Sequence, residues 1–163
     1  MTEMKETKKL TTKKVVIAAM IVAIYAVLTI VLAPISYGPI QVRLSEALTV
    51  LPALTPMGIP GLFVGCIVAN IISPYGLVDL VLGSLATLIA AIASYKLKDH
   101  PWLVPLPPVI SNGLIIGSML HFSYGVPNLP ACMRWVALGE FLTCYVIGMP
   151  LLKLLGRYDR FFK

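Results

Sequence analysis

The distribution of charge along the chain restricts its fold more than any other feature. The 138 residues from Val15 to Leu152 carry only eight charged side chains, and 58% of the whole chain is hydrophobic. A soluble domain draws roughly a quarter of its residues from Asp, Glu, Lys and Arg. The sequence therefore predicts an all-α integral membrane protein rather than a soluble domain.

The net charge of +6 does not indicate a nucleic-acid partner, because the basic residues flank apolar segments instead of forming a basic surface. The three cysteines lie isolated in apolar sequence, without the spacing of a metal site or a disulfide. We expect them to be small buried residues, and we predict no metal and no cofactor. The cysteines are Cys66, Cys132 and Cys144.

Six apolar segments are expected to form one membrane domain over residues 15–155, between basic cytoplasmic tails at 1–14 and 156–163. The first apolar run is about 21 residues long, too long for the core of a secretory signal, so it is predicted to be a membrane span. The second and third are too short to cross ~30 Å comfortably, and either two short crossings or a re-entrant pair fits them. The segments are Val15–Ile35, Ser45–Met57, Ile59–Ser73, Leu77–Tyr95, Pro101–Phe122 and Cys132–Leu155.

The basic residues also predict the orientation of the chain in the membrane. With six segments, both termini and the connector at 96–98 lie on one side, and that side carries 11 of the 13 Lys and Arg residues. Only Arg43 and Arg134 lie on the other. The positive-inside rule therefore places both termini in the cytoplasm of a multi-pass cell-membrane protein.

Five charges remain inside or beside the apolar segments, and the topology places them all in the external half. A charged residue at a membrane centre costs roughly 2.5 to 3.5 kcal/mol, so such residues usually pair with one another or face a cavity. One interpretation pairs Arg43 with Glu46, and Arg134 with Asp79 or Glu140. The other is a pocket for a polar solute. The five charges are Arg43, Glu46, Asp79, Arg134 and Glu140.

The balance of charge indicates what such a pocket would bind. Three acids against two bases leave one carboxylate spare, and a buried carboxylate needs a cation or several hydrogen-bond donors. The expected ligand is therefore cationic or rich in N–H groups, with nearby aromatic rings available to stack on it. The predicted binding residues are Arg43, Glu46, Asp79, Asn112, Glu140, Asn70, Arg134, Trp135 and Tyr37.

Small residues recur at four-residue spacing, a pattern that lets helices approach closely in a membrane. The patterns at Gly61–Gly65–Ala69 and at Gly83–Ala86–Ala90 are expected to pack within the bundle. Ala19 and Ala23 form a third pattern, in the first segment. Packing within the bundle and docking on a partner both remain open for this pair.

The sequence lacks the motifs of an enzyme. It contains no G-x-x-x-x-G-K-[ST] phosphate-binding loop and no H-E-x-x-H metal motif, and neither His100 nor His121 lies beside a recognisable nucleophile. His121 is expected to be a polar helix end. A solute pocket without an energy source favours a binding subunit that works with a partner.

Two stretches of the chain resemble the QueT family, the substrate-binding S components of energy-coupling factor (ECF) transporters for queuosine precursors. They are Gln41–Pro52 (QVRLSEALTVLP) and Thr55–Gly65 (TPMGIPGLFVG), followed by Asn70 and the stretch Asp79–Leu88. The resemblance implies a six-transmembrane-helix bundle of ECF S-component type in a prokaryotic cell membrane. It also implies a transmembrane coupling protein and two cytoplasmic ATPases as partners, and a 7-deazaguanine such as 7-aminomethyl-7-deazaguanine or queuine as solute.

In such S components an A-x-x-x-A motif on the first helix docks on the coupling protein. Ala19 and Ala23 match this motif, so the resemblance favours the docking role for them. Three alternatives to the function remain open: an S component for another vitamin or nucleobase, a self-sufficient proton-coupled carrier that uses Asp79 or Glu140, and a membrane enzyme.

Overall fold

The computed structural model describes residues 11–37 and 42–158, and this part of the chain is entirely helical. Seven α-helices are interrupted by one 3₁₀ helix and one π-helical segment. They are α1 (Thr12–Val31), α2 (Ala33–Ser36), the 3₁₀ helix (Leu44–Ala53), α3 (Gly58–Asn70), α4 (Gly76–Lys96), α5 (Leu106–Tyr124), α6 (Leu129–Phe141), the π segment (Leu142–Gly148) and α7 (Met149–Gly156).

Three helices among the described residues are long and apolar enough to cross a membrane: α1, α4 and the continuous run from α6 through the π segment to α7. The 3₁₀ helix and α3 are shorter apolar helices, as expected of the second and third segments. α5 has 19 residues and carries the polar side chains of Asn112 and His121. The prediction of a helical membrane protein is confirmed, and the six crossings stay a prediction.

The ends of the helices follow from local sequence. α1 ends at Val31, and Pro34 lies in the first turn of the short helix α2, where its missing N–H group is tolerated. α5 begins at Leu106 with prolines in its first turn and ends at Tyr124, before Gly125, whose φ of 65° is the left-handed conformation of a helix C-cap. His121 Nδ1 lies 2.8 Å from the carbonyl oxygen of Val126, which confirms it as a polar helix end.

Glycines on α3 let α1 pack closely against it. A Cβ atom at Gly61 would lie 2.9 Å from Cβ of Ile21, and one at Gly65 would lie 2.9 Å from Cβ of Tyr25. On α4, the predicted small residues Ala86 and Ala90 are fully buried. Packing within the bundle is therefore confirmed for the second and third small-residue patterns.

Ala19 and Ala23 lie on the opposite face of α1 and are exposed. The neighbouring large side chains on that face are exposed as well, Met20 and Val27 both at 57%. The pair therefore does not pack within the described bundle, and its docking role stays a prediction. Gly38 and Pro39, which favour a break after the first segment, lie outside the described residues, as do the first residue of the family motif (Gln41) and most of both tails.

Candidate functional site

Many of the buried polar residues of the bundle fall into two groups. The first, which we name the Arg43–Asp79 cluster, joins the start of α4 to the chain before the 3₁₀ helix. The second, the Glu46–Glu140 cluster, joins the 3₁₀ helix to α6. The Arg43–Asp79 cluster consists of Ser36, Tyr37, Arg43, Asn70, Ser73 and Asp79, and the Glu46–Glu140 cluster of Tyr25, Glu46, Thr49, Cys66, Thr87, Asn112, Glu140 and Cys144.

An ion pair lies at the centre of the Arg43–Asp79 cluster. Nη2 of Arg43 donates to Oδ2 of Asp79 at 2.8 Å, and both side chains are buried. The same carboxylate oxygen accepts a hydrogen bond from Oγ of Ser73 at 2.6 Å. Nε of Arg43 also donates to the backbone carbonyl of Ser36 at 3.4 Å. Asp79 thus has a cation within the chain itself, while its other oxygen, Oδ1, has no hydrogen-bond partner among the described residues.

The predicted pair between Arg43 and Glu46 is wrong. An i, i+3 pair requires both residues on one helical face, but Arg43 precedes the 3₁₀ helix with extended backbone angles, φ −89° and ψ 103°. Its side chain therefore extends to α4 rather than along the helix that carries Glu46. Glu46 is left without this cation as a direct partner.

The ring of Tyr37 packs against the guanidinium group of Arg43. The guanidinium carbon lies 5.1 Å from the centroid of the Tyr37 ring, within the range of a cation–π interaction. The Tyr37 hydroxyl donates to the backbone carbonyl of Ala69 at 2.8 Å, which ties the ring to the end of α3. Burial raises the pKa of Tyr37 to about 12, so the hydroxyl keeps its proton and remains a donor near neutral pH.

Asn70 links α3 to α4. Its Nδ2 donates to the backbone carbonyl of Asp79 at 3.0 Å and approaches Sγ of Cys66 at 3.5 Å. Gly83 makes room for this contact, because a Cβ atom there would lie 2.7 Å from Nδ2 of Asn70 and 2.8 Å from Oδ1 of Asp79. Asn70 therefore positions the ion-paired aspartate.

Glu46 is the central residue of the second cluster and is only 1% exposed. Its Oε1 accepts hydrogen bonds from the hydroxyl of Tyr25 and, at 3.4 Å, from Oγ1 of Thr87. Its Oε2 is buried without a hydrogen-bond partner among the residues that the structure describes. A buried carboxylate oxygen in this state costs free energy unless another group binds it.

Glu140 lies close to Glu46 and shares neighbours with it. The Cys144 thiol contacts both residues, at 3.4 Å from the backbone carbonyl of Glu46 and 3.7 Å from Oε2 of Glu140. The buried side chain of Asn112 interacts with both carboxyl groups. Among the described residues the one ion pair is that of Arg43 with Asp79, so this pair of acids has no bound cation.

The backbone around the second cluster departs from the α-helix in two places. Glu46 lies in a ten-residue 3₁₀ helix, and Glu140 lies two residues before a seven-residue π segment. Runs of 3₁₀ helix beyond three or four residues are uncommon, and π turns occur frequently at functional sites. A Cβ atom at Gly148 would lie 3.2 Å from the Ala47 carbonyl oxygen, so the two irregular helices pack directly on each other.

Arg134 and Trp135 do not join either cluster, and the predicted pairing of Arg134 with Asp79 or Glu140 is wrong. Both residues are exposed, Trp135 at 51%. α6 turns Cys132, Val136 and Glu140 inward at four-residue spacing, which leaves 134 and 135 on its outer face. Arg134 instead borders an apolar groove of about 310 Å³ between α5 and α6.

The structure adds residues that the sequence did not indicate. Tyr25 and Thr87 lie within long apolar helices and give no signal in a single sequence. Cys66 and Cys144 are fully buried, as predicted, but both contact polar groups of the site rather than only apolar neighbours. Of the nine predicted binding residues, the structure brings seven together in the two clusters and leaves Arg134 and Trp135 outside.

A helical membrane chain with an acid-rich cluster buried between its helices has the features of a solute transporter. Comparison with known proteins identifies the family of transporters to which the chain belongs. The chain belongs to the QueT transporter family, whose sequence pattern matches residues 15–157, which confirms the resemblance. It is 31% identical to the queuosine precursor transporter QueT of Lactococcus lactis subsp. cremoris (strain MG1363), over 93% of this chain and 98% of that protein. No solved structure matches the chain.

Proposed function

We propose that this protein is the substrate-binding membrane subunit of an ECF-type transporter and captures a queuosine precursor, a 7-deazaguanine, from outside the cell for ATP-driven uptake. The observation that carries the proposal is the Glu46–Glu140 cluster, in which two buried carboxyl groups have no bound cation. The name of the Lactococcus relative supplies the class of solute.

The chemistry of a 7-deazaguanine complements this cluster. Its guanine edge carries N–H donors, which a carboxylate accepts, and the aminomethyl group of 7-aminomethyl-7-deazaguanine is a cation. Queuine likewise carries an amine. Either ligand would supply the donors that Oε2 of Glu46 lacks and the positive charge that the two acids lack.

The two clusters have different roles in this proposal. Glu46, Glu140 and Asn112 contact the ligand. Arg43 and Asp79 form an ion pair with each other and, with Asn70 and Tyr37, position the 3₁₀ helix that carries Glu46. Arg134 and Trp135, on the outer face of α6, have no part in binding.

Six crossings with both termini in the cytoplasm belong to the same proposal, because the basic residues at the ends and at 96–98 follow the positive-inside rule. Ala19 and Ala23 would then meet a transmembrane coupling protein that two cytoplasmic ATPases energise. Their exposure on α1 leaves them accessible to such a partner. A terminal tag that is cleaved by protease outside intact cells would contradict the orientation.

Binding by the purified protein tests the function. We expect 7-aminomethyl-7-deazaguanine or queuine to bind, and Glu46→Gln and Glu140→Gln each to weaken binding at least tenfold, about 1.4 kcal/mol. Asp99→Asn is the matched control, since it makes the same change of acid to amide at an exposed position. Unchanged affinity in both glutamate variants would refute the site.

A panel of solutes and a reconstitution experiment separate this function from its alternatives. An S component for another vitamin or nucleobase would ignore deazaguanines in the binding assay. A self-sufficient proton-coupled carrier would drive uptake into vesicles from a pH gradient alone, with no ATPases present. We expect no such uptake, and its appearance would exclude the subunit function.

A further inference from the structure

The groups that surround the two glutamates are almost all neutral. The single exception, Arg43, is bound to Asp79 at 2.8 Å. The 3₁₀ helix also packs on α7, which adds the apolar side chains of Met149 and Leu152 near Val50. The neutral polar groups are Tyr25 from α1, Thr49 from the 3₁₀ helix, Cys66 from α3, Thr87 from α4, Asn112 from α5 and Cys144 from the π segment.

Glu46 and Glu140 are both buried and share Cys144 as a neighbour, and two carboxyl groups in such surroundings do not both remain ionised. Like charges at one site disfavour each other, and a low dielectric increases the repulsion, so the protons of such a pair belong to the two groups together. Among the described residues Oε2 of Glu46 is buried with no hydrogen-bond partner, and Arg43 is already bound to Asp79, so a second negative charge there has no counterion of its own. A proton removes this charge.

We infer that Glu46 and Glu140 together hold one proton while the site is empty, and that a ligand with an ammonium group displaces it. This inference rests on the proposed function and adds the basis of selectivity. Before binding, one carboxyl and one carboxylate give the pair a charge of −1. Afterwards two carboxylates and one ammonium give −1 again, and one proton leaves to solvent.

The exchange favours an amine over a neutral group of the same shape. An ammonium brings a positive charge that replaces the proton, so the buried charge of the bundle does not change. A hydroxymethyl group in the same place brings no charge, and the shared proton stays. The site therefore distinguishes 7-aminomethyl-7-deazaguanine from the isosteric 7-hydroxymethyl-7-deazaguanine by charge rather than by size.

Release of a proton also sets the sign of the pH dependence. Because binding frees one proton, a higher pH favours the complex. The Kd of the aminomethyl ligand is expected to fall about tenfold for each unit of pH while the empty pair holds its proton. The Kd of the hydroxymethyl ligand is expected to stay flat over the same range.

Calorimetric titration of the full chain, in several buffers that differ in ionisation enthalpy, counts the protons released. We expect about one proton per 7-aminomethyl-7-deazaguanine bound and none for the hydroxymethyl ligand. Glu46→Gln and Glu140→Gln leave a single carboxylate, so weaker binding with release near zero is expected. Asp99→Asn should release one proton, as the unaltered chain does.

The two ligands keep the inference separate from the proposed function, even if a glutamate variant fails to fold. Aminomethyl binding by the unaltered chain without proton release would overturn the shared proton and leave the proposed function intact. Equal proton release by both ligands would also overturn it, because the release would then not depend on the ammonium. If neither deazaguanine binds, the proposed function fails and this inference fails with it.

Discussion

The two polar clusters of this bundle contain the same kind of side chain in opposite states. In the Arg43–Asp79 cluster an arginine at 2.8 Å neutralises the buried aspartate. In the Glu46–Glu140 cluster two equally buried acids have only neutral hydrogen-bond partners. A charge satisfied within the chain holds helices in place, whereas a charge left without a counterion is open to a ligand.

The two clusters also differ in the regularity of the helices that carry their acids. Asp79 lies in the first turn of α4, a regular 21-residue α-helix, where the helix dipole favours a negative charge. Glu46 and Glu140 lie in or beside the 3₁₀ helix and the π segment. The paired acid thus lies in a regular helix, and the unpaired acids lie in or next to irregular ones.

The largest expected effect comes from breaking the ion pair. Arg43→Gln leaves Asp79 buried without its cation, which typically costs 3 to 5 kcal/mol. We expect a large fall in the thermal unfolding midpoint of the purified protein. The double variant Arg43→Gln, Asp79→Asn should recover much of the loss. If the single and double variants are equally unstable, the pairing does not explain the stability.

A smaller loss of stability is expected when the space beside Asp79 is filled. Gly83→Ala places a methyl group 2.7 Å from Nδ2 of Asn70 and 2.8 Å from Oδ1 of Asp79, and overpacking of this kind costs about 1 to 3 kcal/mol. Gly156→Ala is the control, because a Cβ atom there meets nothing within 4 Å. Equal unfolding midpoints for the two variants would contradict the close contact.

In the Glu46–Glu140 cluster, replacing a buried acid with its amide should raise stability rather than lower it. Glu46→Gln removes the buried carboxyl oxygen that has no hydrogen-bond partner among the described residues, so we expect stability to rise by roughly 1 kcal/mol, the scale of one unsatisfied buried group. Ligand affinity should fall in the same variant. A fall in the unfolding midpoint would mean that the neighbours of Glu46 stabilise its carboxyl group, as Arg43 stabilises that of Asp79.

The smallest effect is expected outside both clusters. Arg134→Gln changes an exposed residue at the α5–α6 groove, and surface substitutions usually stay within about 0.5 kcal/mol. Equilibrium binding of 7-aminomethyl-7-deazaguanine should therefore be the same as in the unaltered chain. A tenfold higher Kd would show that Arg134 contributes to ligand binding.

The sequence predicts the membrane class, the family and the packing of the small residues, because each depends on local pattern. It also identifies the buried acids, since charges are rare in apolar segments. It does not predict which charges pair. That choice depends on the extended backbone at Arg43 and on the inward face of α6, which turns Glu140 in and Arg134 out.

The sequence also does not predict the irregular helices or the neutral hydrogen-bond partners of Glu46. Leu44–Ala53 and Leu142–Gly148 contain no residue pattern that separates 3₁₀ or π geometry from an α-helix, since tertiary packing decides among them. Tyr25 and Thr87 become polar partners of Glu46 only because α1 and α4 bring them to it. A single sequence does not show which helices bring their side chains together.

The burial of Cys144 makes its reaction with an alkylating reagent a measure of how often the interior of the bundle opens. Its thiol is fully buried between the two glutamates, so an alkylating reagent reaches it only when the wall formed by the 3₁₀ helix and the π segment separates. The rate of alkylation would then time that separation. A membrane-impermeant maleimide, added to one side of the membrane at a time, would reveal the compartment to which the interior opens.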